Sequence, residues 1–279
     1  MSGLRPGRLW MAAGLVCSLA GAAVAEPTLT VVAGGRTAIY TATGLLSLPG
    51  ATSITVPADF AYKRSMTFRA LPMSTLLSGA AQDDAIRVTA ADGFRTTLPA
   101  AALLAGGPGG AYLAIEPADA PWPPLKSGEA TTAGPFYLVW PRADRAAPAR
   151  EQWPYQIVKM EAVAAPARRF PMTAPAASVP PNHPIRAGFA AFQKHCASCH
   201  TINGGGESTT GPDLNVPYNP TEYLRPEALR RVIRDPQALH RWPDGRMPAF
   251  DSKTLPDREL AELIAYLRHM ADHKIAPPR

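Results

Sequence analysis

The chain has 279 residues, enough for two ordinary domains, and a formal charge of +6. Lys and Arg are scattered among Asp and Glu, with no basic run beyond pairs such as Arg168-Arg169 and Arg230-Arg231. That distribution argues against nucleic acid as a partner. Only three cysteines occur: Cys17, Cys196 and Cys199.

The first 25 residues, MSGLRPGRLWMAAGLVCSLAGAAVA, place Arg5 and Arg8 before a short apolar run and end in Ala-Val-Ala ahead of Glu26. This reads as a signal peptide over 1–25, cleaved after Ala25, on a chain exported to the periplasm. The run is too short to favour a membrane span, and no later stretch is long and apolar enough for one. The expected mature chain is therefore soluble and keeps only Cys196 and Cys199. Cys17 as a lipid-bearing N-terminus is the lesser reading, because Val16 stands where such signals favour a small residue.

Residues 26–164 read as a β-rich domain. TLTVV, AIRVTA, AYLAIE, PFYLVW and YQIVKMEAV are short strand-like runs, and LPMSTLLSGA and LPAAALLAGG are short helical inserts. AGGPGGA at 105–111 lacks G-x-G-x-x-G spacing and reads as a surface turn. No G-x-S-x-G nucleophile motif is present. EQWPYQ at 151–156 is a candidate contact patch through Trp153 and Tyr155, or else the core entry to the last strand.

From Ala165 the chain reads APARRFPMTAPAASVPPNHP, with prolines at 166, 171, 175, 180, 181 and 184. Residues 165–183 are expected to form an extended, semi-rigid linker.

Beyond it, residues 184–273 form a helical domain, followed by a short tail, 274–279. IRAGFAAFQKHCASCH begins an amphipathic helix that runs into the string Cys196-Ala-Ser-Cys199-His200. LRPEALRRVIRDPQAL gives a second helix starting near Pro226, interrupted at Asp235-Pro236. LPDRELAELIAYLRHMADH gives a third, with Leu260, Leu263, Ile264, Leu267 and Met270 on one face. Three helices with long Gly- and Pro-rich loops bury little apolar area alone, and a haem in their midst would supply the missing core.

Two cysteines three positions apart present both sulfurs on one side of a tight turn, where they can reach the two vinyl groups of one porphyrin. The next residue, His200, then lies beneath the ring as an iron ligand. A zinc ribbon needs a second ligand pair, and a thioredoxin-like pair needs a surrounding βαβ pattern; neither is present. A disulfide between Cys196 and Cys199 suits an exported chain but leaves His200 unexplained. His195 is expected to be solvated, on the far side of the turn from His200.

With HCASCH, Gly188 and Phe192 on the first helix, GPDL at 211–214 and RMPAF at 246–250, residues 184–273 resemble a class I cytochrome c domain. The resemblance implies an all-α fold in which Gly188 and Phe192 pack against an aromatic of the last helix, Tyr266. It implies one covalently attached haem c on Cys196 and Cys199, with iron held by His200 and Met247. It also implies that the Pro212 carbonyl orients His200 through the other ring nitrogen. Competing readings are a core-filling Met247, Met172 as the distal thioether, and His183 or His240 as a distal imidazole. Trp242 and Arg246 flank the methionine and are candidate donors to haem propionates, with Tyr218 and Tyr223 less well placed.

In the first domain, the order ALPMSTLL, ADGFRTTLP, AYLAIE, PFYLVW and a closing strand is similar to the sulfite oxidase-like molybdopterin-binding fold over most of 66–163. That family holds molybdenum through a cysteine thiolate. Here no cysteine or histidine occurs between Glu26 and Asn182. The expected architecture is thus multidomain: a β-rich α+β sulfite oxidase-like domain without its metal ligand, then an all-α class I cytochrome c domain.

Iron with both axial positions filled by imidazole and thioether has no site for substrate, which favours electron carriage over catalysis. The expected function is transfer of electrons from a periplasmic dehydrogenase to an oxidase or another cytochrome, through transient docking, with the first domain as a docking or scaffold module. The alternative is a cytochrome-fused oxidoreductase whose first domain still binds a pterin or substrate. A haem-based sensor with a labile Met247 is the third reading.

Overall fold

The computed structural model describes residues 26–275, apart from 83, 108, 142–151, 209, 239, 242, 244 and 246. The expected signal at 1–25 with Cys17, the end of the tail at 276–279, and Trp242 and Arg246 all lie outside the described residues. No helix among the described residues is long and apolar enough to cross a membrane.

Among the described residues, the N-terminal region is built on nine strands. The β-branched run Thr28–Ala33 (β1) turns through Gly34 and Gly35 into Arg36–Thr41 (β2), with Ala33 paired to Arg36. Both glycines have positive φ, 56° and 72°, which a two-residue hairpin turn of this twist requires. Next come a short helix α1 (Ala42–Leu46), β3 (Thr52–Val56), β4 (Met66–Pro72) and α2 (Met73–Leu76). They are followed by β5 (Asp84–Ala90), β6 (Arg95–Pro99), α3 (Ala100–Leu104), β7 (Tyr112–Ile115), β8 (Phe136–Val139) and β9 (Ile157–Ala164).

These strands form two sheets, one in the order β2-β1-β9-β5-β6 and one in the order β3-β4-β7-β8. Every pair is antiparallel except β1 with β9. Leu29, Ile86, Leu98, Leu113, Phe136 and Leu138 belong to one buried core. Phe68 stands edge-on to Trp122 at 4.9 Å and to Tyr137 at 5.9 Å within it. Trp153 is only 5% exposed and joins the same core, so it is no surface anchor; Tyr155 is 38% exposed, with its ring edge against Tyr137. In a regular strand 153, 155 and 157 would share one face; Gln156, with φ 53°, breaks that regularity just before β9 begins at buried Ile157.

The proline-rich segment departs from the extended spacer its composition predicts. Pro166–Arg169 forms a short helix, α4, and Pro171–Thr173 a 3₁₀ turn. In each, proline occupies the start of the helix, where a missing N–H removes no internal bond. The segment is also packed down on the helical region. Tyr266 donates its hydroxyl to the Thr173 carbonyl at 2.6 Å, Ala176 N–H donates to His269 Nε2 at 3.1 Å, and Arg186 donates to the Val179 carbonyl at 2.7 Å.

The C-terminal region is helical: α5 (Pro184–His195), α6 (Pro220–Tyr223), α7 (Pro226–Arg234) and α8 (Asp257–Ala271). Proline opens α5, α6 and α7, and Asp257 and Glu259 lie in the first turn of α8, where the helix dipole favours carboxylates. His183 is exposed and caps α5 by accepting from Ile185 N–H.

Helices α5 and α8 cross at Gly188, where a Cβ would stand 1.9 Å from the Glu262 carbonyl oxygen. Only a residue without a side chain lets the two backbones approach so closely. Around this contact Phe189 and Phe192 pack their rings on Tyr266 at 5.5 and 5.6 Å.

Candidate functional site: a cleft lined by Cys196, Cys199, His200 and Met247

Helix α5 ends at His195, and the chain continues in tight turns. Cys196 N–H donates to the Phe192 carbonyl, while Cys199 and His200 N–H both donate to the Cys196 carbonyl, at 3.0 and 2.8 Å. These bonds hold Cys196, Cys199 and His200 on one compact coil.

The loop that follows returns to the histidine. His200 Nδ1 lies 2.8 Å from the Pro212 carbonyl oxygen. A carbonyl only accepts, so Nδ1 carries the proton and a neutral ring keeps Nε2 as a bare lone pair, the form a metal ligand requires. Burial holds the His200 pKa below the usual histidine range, against the pull of Pro212 and Asp213. Gly211 makes room for this ring: a Cβ there would stand 2.5 Å from His200 Cε1.

Asp213 organises the loop by accepting from Thr201 Oγ1 and from the backbone N–H groups of Gly204, Asn215 and Val216, at 2.7–2.9 Å. Burial pushes its pKa up, but the hydrogen bonds from Val216, Gly204, Thr201 and Asn215 outweigh that and leave it below the usual range. Beneath it runs a ladder of buried amides. Asn219 Nδ2 donates to Asn215 Oδ1, Asn215 Nδ2 donates to Asn203 Oδ1 and to the Met270 carbonyl, and Asn203 Nδ2 donates to the carbonyls of Met172 and His273.

Cys196, Cys199, His200, Pro212 and Met247 all line one cleft of about 850 Å³. Its walls include Leu224, Leu229, Ile233, Phe250 and Leu267, from the α6–α7 stretch, the loop before α8, and α8 itself. Two thiols, an imidazole and a thioether facing a large apolar cavity fit a haem, whose rim is apolar and whose iron takes nitrogen and sulfur ligands.

The competing donors are placed differently. Met172 packs against Gly205, where a Cβ would meet its sulfur at 2.7 Å. His240 is exposed at the edge of the cleft. Tyr218 and Tyr223 are exposed, and Tyr223 reaches the cleft wall.

His195 departs from its expected solvated position. It is buried, lines the same cleft, and brings Nε2 to 3.1 Å from Glu259 Oε1. Its place on the last turn of α5 turns it toward α8, which the sequence-local view of the C-x-x-C-H turn does not reveal. Helical periodicity did carry a signal, since position 195 follows Gly188, Ala191 and Phe192 on the buried face.

One further carboxylate was not legible from spacing. Glu207, on the loop after His200, pairs with Arg87 on β5 and with Arg169 on α4, and also accepts from Thr97 on β6.

Comparison with known proteins agrees with the helical region. Residues 183–267 match the family model described as cytochrome C oxidase, cbb3-type, subunit III. This stretch is a cytochrome c domain, which implies a haem cofactor and a capacity for electron transfer. The crystal structure of the sulfane dehydrogenase SoxCD from Paracoccus pantotrophus aligns at 15% identity with a TM-score of 0.34, covering 52% of this chain and 40% of that one. No curated protein matches the chain.

Proposed function

We propose that this chain is an exported, monohaem c-type cytochrome that carries electrons from a periplasmic dehydrogenase to an oxidase or another cytochrome. The observation that carries the reading is the convergence of Cys196, Cys199, His200 and Met247 on one apolar cleft, with His200 oriented by Pro212. When bound there, haem supplies a one-electron iron couple.

The chain's own residues would do the rest. Cys196 and Cys199 would anchor the group by thioether bonds, His200 would ligate through Nε2, and Met247 would supply a second donor to the iron. Leu224, Leu229, Ile233 and Phe250 would give the group an apolar surround, which would limit solvent reorganisation around a change of charge. Iron held by both His200 and Met247 would be suited to electron carriage rather than to binding a substrate.

The first domain, residues 26–164, serves in this reading as a sulfite oxidase-like scaffold without a metal of its own. Its sequence offers no cysteine thiolate to molybdenum. The clamp through Glu207, Arg87 and Arg169 holds it against the cytochrome domain.

Denaturing electrophoresis with haem staining, combined with intact mass, tests the proposal. A chain beginning near Glu26 and bearing one haem is expected. Release of haem into acidified organic solvent would overturn covalent attachment. Stoichiometric molybdenum in protein produced with ample molybdate would replace the scaffold role with the oxidoreductase alternative.

A further inference from the structure

Among the described residues, His195 is the one histidine whose side chain is fully buried, at 0% exposure. It lies on the wall of the cleft and stands edge-on to Phe250, with ring centroids 5.8 Å apart. Nε2 faces the Glu259 carboxylate at 3.1 Å. Nδ1 is buried with no hydrogen-bond partner. Since a carboxylate accepts, Nε2 carries the proton and Nδ1 is left as a bare basic nitrogen. Glu259 is 24% exposed and so joins this buried imidazole to solvent.

We infer that His195 and Glu259 form a proton-accepting site coupled to electron transfer in the cleft. The inference rests on the haem reading above. With haem bound, one-electron reduction would remove one unit of positive charge from the cleft. His195 then takes one proton from bulk water onto Nδ1, and the resulting imidazolium is held by the Glu259 carboxylate. Charge is conserved locally: one electron and one proton enter together. The coupling arises because a charge change in a poorly solvated interior is weakly screened, so a neighbouring base feels most of it.

The surroundings set the direction. Burial and the adjacent Lys194 keep His195 neutral, holding its pKa below the usual histidine range, while Glu259 pulls the other way. From α5 the ring meets Lys194, itself 3.5 Å from Glu259, and from α8 it meets Glu259. Glu262, one turn further along α8, is taken up by Arg258, and Asp257 by Arg234 of α7. His200 and His240 also line the cleft. Reduction favours the protonated ring, so the midpoint potential falls as pH rises through the titration and levels off above it.

The test is a redox titration of the full-length haem protein from about pH 5 to about pH 9, spanning the histidine range. Wild type should show a sloping segment at the acidic side, and His195→Gln, which keeps a donor to Glu259 but cannot take a proton, should lose it. Glu259→Gln should move the slope to lower pH. A flat wild-type profile, or an unchanged slope in His195→Gln, overturns the inference. If His195→Gln fails to retain haem, Glu259→Gln decides: an acid shift supports the site and an unmoved profile overturns it. Absence of stainable haem from wild type is a separate result, which defeats the haem reading itself.

Discussion

Arg87 on β5 and Glu207 on the loop after His200 form an ion pair between the β-rich region and the cytochrome domain, across 120 positions of sequence. The pair is prepared by strand register. Arg87 is directly opposite Glu161 on β9 and Thr97 on β6, so the three share one row of one sheet face. Thr97 and Arg87 both reach Glu207, Glu161 takes the other arm of Arg87, and Arg169 completes the ring from α4. A partly buried carboxylate is thereby shared by two guanidiniums, which compensates its desolvation.

Glu207→Ala should therefore loosen the docking of the two regions without unfolding either. Loss of charge-assisted hydrogen bonds of this kind costs about 2 kcal/mol. Limited proteolysis should show faster cleavage within 165–183, and small-angle scattering should show a larger radius of gyration. Burial raises the Glu207 pKa, but Arg169 and Arg87 together outweigh it and hold it below the ordinary value. A depressed folded pKa stabilises above the unfolded value and ceases to do so as pH falls through the folded one. The clamp should thus hold at neutral pH and release only on acidification below the ordinary carboxylate range. Glu207→Ala should lack that acid transition.

Met247→Ala should open the sixth iron position in the proposed haem site. The sulfur-to-iron charge-transfer band of the ferric spectrum should vanish, and the reduction potential should fall. Met172→Ala should leave the band in place, since Met172 packs on Gly205.

Gly188→Ala should force α5 away from α8, because the added Cβ meets the Glu262 carbonyl oxygen at 1.9 Å and its carbon at 2.5 Å, both rigid backbone atoms. Overpacking of this type costs about 1–3 kcal/mol. Chemical denaturation followed at the haem absorbance should give an earlier midpoint than wild type.

Asn215→Ala should be at least as harmful although it removes no apolar contact. It removes one donor from the Met270 carbonyl and one from Asn203 Oδ1, which keep His273 N–H and Ile275 N–H, and one acceptor from Asn219 Nδ2, which keeps the Leu267 carbonyl. Three buried hydrogen bonds lost together cost about 2–4 kcal/mol. The same denaturation experiment reads it, with the His200 loop expected to gain proteolytic sensitivity.

Features set within a few residues of chain were legible in the sequence by itself. The C-x-x-C-H spacing, the proline starts of α5 and α7, the carboxylates opening α8 and the alternation of β1, β5 and β9 all depend on local backbone geometry. Strands β2, β3 and β4 and helix α1 are not among the elements read from the sequence, although the Gly34-Gly35 turn marks β2. Tertiary structure alone decided the strand order β2-β1-β9-β5-β6, which brings Glu161, Arg87 and Thr97 into one row. It also decided that the proline-rich segment lies against α8, that Glu207 meets two arginines, and that His195 is buried against Glu259. Periodicity states which face of an element is apolar, but burial and charge pairing depend on which distant surface that face meets. Glu207 and Arg87 therefore become partners only once two separately folded regions are packed together.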